Sequence, residues 1–285
     1  MYSVLNVTDD ITHCGNIGHV LNDFKNICLL AHQYGFKGVN VDLTDSEFDT
    51  YKYIQLLEKY KLKPVAFGLP VKLFDSDKVY DDSIEEFELQ ASKANSIGCH
   101  LTLCYIPPFS QEMNFNDRFI QTSKRLRELK RILEKYDIKI GFEFIGPTET
   151  RVNSKYDFIH TIDGIRALIA SAGLYGYAGF KLDVHHWQNS GSSILDIQHL
   201  DMAYILYIEL NDGLPGYNIF NIPEFKRELP LATGITQIEE FMNTLKQKGY
   251  QGPVAIEPWN ENIKTMPLKE ALEKIRHSFS QLGIS

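Results

Sequence analysis

The sequence predicts an α/β protein, a (β/α)8 TIM barrel occupying residues 1–285 as one domain. Three observations carry that prediction. Short apolar runs alternate with longer amphipathic ones from end to end, the rhythm of repeated βα units on a parallel sheet. The rhythm repeats about eight times, the number a closed barrel needs. No Pro/Gly/Ser-rich linker or low-complexity tract divides the 285 residues, a length close to the roughly 250 typical of one such barrel. The alternative is a doubly wound open sheet. Its dinucleotide-binding form needs G-x-G-x-x-G after an early strand, and the chain has none.

The elements follow in order. The first strand rests on V-L-N-V at 4–7. Val20, Leu21, Phe24, Ile27, Cys28 and Ala31 share one face at period 3.6, a helix stopped by Gly35. G-V-N-V-D-L at 38–43 is strand two, and a charged helix then runs through Glu58 and ends before Pro64. P-V-A-F-G-L-P at 64–70 is strand three. Ser83 and Glu86 read as a capping box for a helix whose stripe is Ile84, Phe87, Ala94 and Ile97, ended by Gly98. H-L-T-L-C-Y-I at 100–106 is strand four, halted by Pro107 and Pro108. A long charged helix spans about 115–136 with Phe119, Leu126, Leu129 and Leu133 inward. K-I-G-F-E-F-I at 139–145 is strand five, and a helix runs from near Lys155 to Ala172. G-F-K-L-D-V at 179–184 is strand six; a short helix leads to strand seven, Y-I-L-Y-I-E-L at 204–210. Thr236 and Glu239 cap the next helix, G-P-V-A-I-E-P-W at 252–259 is strand eight, and the last helix closes near Leu282.

Composition narrows the function classes. With 44% hydrophobic and 23% charged residues, disorder, collagen and coiled coil are excluded. A net charge of −8 repels a polyphosphate, so nucleic acid is not the expected partner. No apolar run reaches the roughly 18 residues of a membrane span. Met1 to Asp10 carry neither a basic n-region nor an apolar h-region, so a cytoplasmic protein is expected. Cys14, Cys28, Cys99 and Cys104 lack CxxC or zinc-like spacing and read as reduced, mostly buried thiols.

In a barrel, chemistry sits at the C-terminal ends of the strands. Strand five ends with Glu143, strand six with Asp183 followed by His186, strand seven with Glu209 and strand eight with Glu257. Carboxylates that interrupt apolar strands cost several kcal/mol to bury unless offset. Four that converge also repel one another. One divalent cation answers both problems, and oxygen-rich ligation suits a hard ion, Mn²⁺ or Mg²⁺. The alternative gives each carboxylate its own salt bridge at the barrel rim.

The segments G-F-E-F-I-G-P, L-D-V-H-H-W-x-x-S-G, Y-I-E-L-N-D-G, R-E-L-P and G-Y-Q-G-P-V-A-I-E-P resemble the xylose isomerase-like TIM-barrel superfamily, in its sugar phosphate isomerase/epimerase branch. The likeness covers most of the chain and is best from Lys139 to Trp259. It implies one divalent metal on Glu143, Asp183, Glu209 and Glu257. Glu209 departs from the family, which usually has His there and sometimes Gln; that opens the question of whether metal binding and activity are kept. The Asp-x-x-His pattern implies that His186 contacts a substrate oxygen, whereas strict strand alternation puts His185 on the Asp183 face. Arg227 in R-E-L-P resembles the family's substrate-approaching arginine, although P-L-A-T-G follows where P-G-E-G is usual.

The resemblance further implies an isomerase or epimerase of a small sugar, sugar phosphate or polyol-derived ketone. Glu143 and Glu257 would form the acid/base pair, with the metal as Lewis acid on the forming enediolate. Metal-dependent dehydration of a cyclic polyol ketone, of inosose or dehydroshikimate type, is the alternative, and a barrel that binds ligand without catalysis is another. A nuclease of the same superfamily would need a histidine-rich multi-zinc cluster, yet Asp42, Phe67 and Tyr105 mark the ends of strands two to four. Trp187, beside the proposed ligands, is expected to wall the substrate pocket, with Trp259 a second candidate. Arg151 is a candidate for an anionic group, and Ser190–Ser192 a weak anion site. His13, His19, His32, His100, His160, His199 and His277 read as structural or exposed. A homo-oligomer is compatible with the sequence.

Overall fold

The structure is a computed structural model and describes residues 1–6, 21, 23–44, 47–217 and 223–284. Val7 of the first expected strand, Val20 of the first helix stripe, Cys14, His13 and His19 lie outside these residues. Its strands are β1 (Tyr2–Leu5), β2 (Gly38–Val39), β3 (Lys63–Pro64), β4 (Phe67–Gly68), β5 (Leu101–Ile106), β6 (Phe109–Ser110), β7 (Lys139–Phe144), β8 (Tyr156–Asp157), β9 (Ala178–Asp183), β10 (Ile205–Leu210) and β11 (Pro253–Ile256).

Nine of them form one sheet in the order β3-β2-β1-β11-β10-β9-β7-β5-β4. β3 pairs with β2 and β4 with β5, both in parallel. Between them lie only Val65 and Ala66, whose backbone bonds run to Val39 and Val41. β3 and β4 are therefore two halves of one position, and the nine strands close a barrel of eight staves. The expected third strand is this broken one. β6 and β8 pair separately and antiparallel.

Helices alternate with the strands, among them Phe24–Gln33, Thr50–Tyr60, Asp77–Ser96, Phe115–Tyr136, Ile162–Ala172, Ile238–Gln247 and Leu268–Gln281. Two expected caps are corrected. The third helix begins at Asp77 after Ser76, and buried Tyr80, four residues before Ile84, carries its stripe back past Ser83. Ser83 lies inside it and bonds back to the Tyr80 carbonyl. The helix at Ile238 is preceded by Gln237 without a side-chain cap, and the Thr236 amide instead donates to Asp212 Oδ1.

Apolar strand residues such as Phe142, Phe180, Leu182 and Ile208 join the core shared with the helices. A second, smaller cluster of Val4, Val65, Ala66, Tyr207 and Ala255, with Tyr2, Leu101 and Leu103 against it, packs separately. Cys28, Cys99 and Cys104 are free and buried, and burial pushes each thiol up to about 12, so they are unreactive at neutral pH. Among the described residues no helix is long and apolar enough to cross a membrane.

Candidate active site

The expected strands five to eight are β7, β9, β10 and β11, which stand side by side. Register places Glu209 opposite Asp183 on one side and Ala255 on the other. Asp183 ends β9 by becoming an N-cap. Its Oδ1 accepts from the His185 amide at 2.6 Å and the His186 amide at 3.3 Å, starting the helix Val184–Asn189. That turn explains how His186 swings back toward the strand end. Asn211 Nδ2 donates to both Asp183 oxygens, at 3.2 and 3.0 Å. Arg227 Nη1 donates to Asp183 Oδ2 at 3.0 Å and to Glu257 Oε2 at 2.9 Å, and Nη2 to Glu224 Oε1.

Lys181 lies two residues before Asp183, on the same face of β9. Its Nζ reaches Glu143 Oε2 at 3.0 Å and Glu209 Oε2 at 2.8 Å. Two buried protein cations thus span the four carboxylates in pairs: Lys181 holds Glu143 and Glu209, and Arg227 holds Asp183 and Glu257. The salt-bridge alternative is realised at the barrel centre, in shared form.

Charge is still unbalanced: with Glu224, five carboxylates face these two cations among the described residues. Burial, the largest influence, pushes Glu143 and Glu209 up to about 8 despite Lys181, and drives Glu257 well above its ordinary value. Asp183 is pushed up by burial too, but Arg227, then His186 and His185, outweigh this and hold it low. Glu224 is likewise held low, mainly by Arg227 against burial. Burial pushes His186 down to about 4, so its ring is neutral at neutral pH. His186 Nε2 lies 3.7 Å from Glu143 Oε1 and 3.6 Å from Glu224 Oε1.

The donor set fits a divalent ion. One oxygen each from Glu143, Asp183, Glu209 and Glu257 lie within 4.8 Å of one another. Glu143, Asp183 and His186 form an overlapping group, and His185, His186 and Glu224 another. Glu143 Oε1 is buried and makes no hydrogen bond among the described residues, as an oxygen awaiting a ligand would. Beside the cluster opens a cavity of about 500 Å³. Glu143, Lys181, His186, Glu224 and Glu257 form its polar side; Phe67, Leu103, Phe109, Phe225 and Trp259 form an apolar one.

Residues 28–280 match the family described as xylose isomerase-like TIM barrel. The chain belongs to that family. Among curated relatives, an inosose isomerase of Halalkalibacterium halodurans is 22% identical over 275 residues, which cover 94% of this chain and 88% of that one. Among solved structures, a xylose isomerase domain protein of Alicyclobacillus acidocaldarius has a TM-score of 0.81 at 22% identity, over 92% of this chain and 94% of that one. The IOLI protein with a binding zinc atom has a TM-score of 0.79 at 17% identity, over 99% and 98%.

As a xylose isomerase-like barrel, the chain gathers Glu143, Asp183, Glu209, Glu257, His186 and Arg227 at one centre. His185 is buried beside Asn189 and does not line the cavity. Trp187 is corrected. It is fully buried against Phe241, with Nε1 on the Ser193 carbonyl, because the helix begun by Asp183 turns it away from His186 and outward. Trp259 lines the cavity instead, edge-to-face with Phe225 at 5.2 Å. Arg151 braces its own loop through the Gly146 and Pro147 carbonyls. Sequence reasoning missed Lys181, Asn211 and Glu224. Period-two alternation from Asp183 and from Glu209 points to Lys181 and Asn211; Glu224, on a loop, carries no such signal.

Proposed function

We propose that the protein is an isomerase or epimerase of a neutral sugar or polyol-derived ketone, acting by proton abstraction next to a carbonyl. The observation that carries the reading is the pairing of buried carboxylates with fixed positive charge on one wall of a 500 Å³ cavity. A base must remove a carbon-bound proton while a cation bears the charge that develops on the neighbouring oxygen. Glu143 and Glu257 meet the first need, and their raised pKa values suit groups that both give and take protons at neutral pH. Returning the proton to the same carbon epimerises; returning it to the neighbour isomerises. Neutral His186 orients a substrate hydroxyl or carbonyl, and Arg227 with Asn211 fixes Asp183. A divalent ion held by Glu143, Asp183, Glu209 and Glu257 would supply Lewis acidity toward the carbonyl.

The lining also bears on the substrate. Its charged groups are Glu143, Glu224, Glu257 and Lys181, a negative balance that opposes a phosphate. The residues outside the described ones contain neither lysine nor arginine, so they bring no phosphate-binding cation. Trp259, Phe67 and Phe109 suit the C–H face of a ring. The inosose isomerase among the relatives accords with a cyclic polyol ketone.

The test is incubation in D₂O with a panel of ketoses, inososes and dehydroshikimate, with Mn²⁺, Mg²⁺, Zn²⁺ or chelator. Deuterium entering the carbon next to the carbonyl is expected for a neutral member. Absence of exchange across the whole panel sinks the reading, and an enone product turns it to the dehydratase.

A further inference from the structure

Among the described residues Lys181 is the one lysine or arginine on the cavity wall, and the acid/base scheme leaves it without a task. Its position is built by the sheet. Lys181 pairs in register with Tyr207 as Asp183 does with Glu209, so Lys181 points to the same interior face one layer deeper. From there Nζ rises between Glu143 Oε2 and Glu209 Oε2, at 3.0 and 2.8 Å. It is enclosed yet still reaches the cavity surface. Arg227 spans the other two carboxylates but is sealed beneath them and does not reach that surface.

We propose that Lys181 is the resident cation of this centre. Its ammonium holds Glu143 and Glu209 together, competes with any divalent ion for their oxygens, and donates a hydrogen bond to the carbonyl oxygen of the substrate. The first two statements stand on geometry alone, while the third rests on the proposed isomerase reading. An ammonium has three donors. One is given to Glu143 Oε2 and the charge is shared with Glu209 Oε2 as an ion pair at 2.8 Å, which leaves donor capacity for a ligand in the cavity. A tethered cation is present at high effective concentration. An ion that enters must break the hydrogen bond to Glu143 and the ion pair with Glu209, and leave an ammonium beside a dication. A merely structural lysine would affect folding without setting ion affinity, and the two roles therefore separate by measurement.

The experiment is calorimetric titration of the chelator-treated full chain with Mn²⁺, wild type against Lys181→Met/Glu209→Gln. That double substitution removes one formal positive and one formal negative charge and keeps an oxygen donor at 209. The expected result is at least about tenfold tighter Mn²⁺ binding by the variant, despite the loss of a carboxylate. Equal or weaker binding overturns the proposal. If the variant does not fold, wild type decides: a dissociation constant tighter than about 10 μM overturns competition, and a weaker one supports it. For the third statement, wild type is expected to exchange deuterium with chelator present, and the variant to lose about 10²-fold or more. Exchange by wild type that stops with chelator overturns that role. Absence of exchange under every condition overturns the isomerase reading instead and leaves the titration to judge Lys181.

Discussion

Replacing Glu257 by Gln separates a catalyst from a scaffold. In the structure, Glu257 lines the cavity while its Oε2 accepts from Arg227 at 2.9 Å. Gln keeps the shape and one oxygen acceptor for that guanidinium. Arg227 also keeps Asp183 and Glu224, so no buried cation is stranded. The stability loss should then stay near about 1–3 kcal/mol, the range for an altered buried hydrogen bond, and a urea transition would verify that the variant is folded. Activity should respond differently. If Glu257 moves the proton, its amide cannot, and deuterium exchange should fall about 10²–10⁴-fold, the range that general acid–base catalysis contributes. Added Mn²⁺ should not restore it. The assay is deuterium wash-in by mass spectrometry or NMR with the substrate found in the panel, at rising Mn²⁺ and with chelator. Recovery to near wild-type turnover at high Mn²⁺ would refute the reasoning and reduce Glu257 to a ligand. Glu143→Gln should behave in the same way, because the second face of the substrate needs its own carboxylate.

Three further outcomes follow from particular contacts. Arg227→Met strands buried Asp183, Glu257 and Glu224 and should cost about 3–5 kcal/mol in urea unfolding; Arg227→Lys should recover only part of it, since an ammonium lacks the fork that reaches all three. Gly146→Ala places a Cβ 2.1 Å from the His186 carbonyl oxygen, a backbone atom that cannot yield cheaply, so a loss of about 1–3 kcal/mol should accompany reduced exchange; an unchanged melting temperature would show that the loop can move aside. Glu209 titrates near 8 when folded against an ordinary 4.5. Its contribution to stability is therefore full below about pH 4.5 and lost as pH rises through 8, and chelated wild type should lose stability relative to Glu209→Gln between pH 5 and 8; a constant difference in urea midpoints across that range would contradict this.

The barrel was legible because its signals are local. β7, β9 and β10 read as apolar runs bounded by turns, and their ends fall within a residue or so of those read from the sequence. The broken third strand was not legible, because P-V-A-F-G-L-P looks continuous and only the pairing of its halves with different neighbours divides it. The helix at Asp77 was misread at its start because the capping-box pattern at Ser83 matches a common signature, although Tyr80, four residues before Ile84, already continues the apolar stripe. Trp187 was misassigned because adjacency in sequence to His186 means different faces once the chain is helical.

What the sequence reading left out of the charge balance is the most instructive. Four carboxylates at four strand ends argued for an external cation because each was considered with its strand end and not with the layer below. Lys181 and Asp183 share a face, as do Tyr207, Glu209 and Asn211. Carried one step down β9, the same alternation that brought the carboxylates together delivers an ammonium among them. Arg227 arrives from a loop, where no periodicity predicts its target. Burial of the carboxylates is thus no evidence by itself for a metal, since the chain supplies two cations of its own. What argues for further positive charge is the remaining imbalance: four carboxylates, five with Glu224, face two cations, and burial drives Glu143, Glu209 and Glu257 to retain protons. A proton and a divalent ion are competing answers to that surplus. A centre that can hold exchangeable protons on Glu143 and Glu257, beside an ammonium aimed into the same cavity, has the parts for moving a proton between carbons.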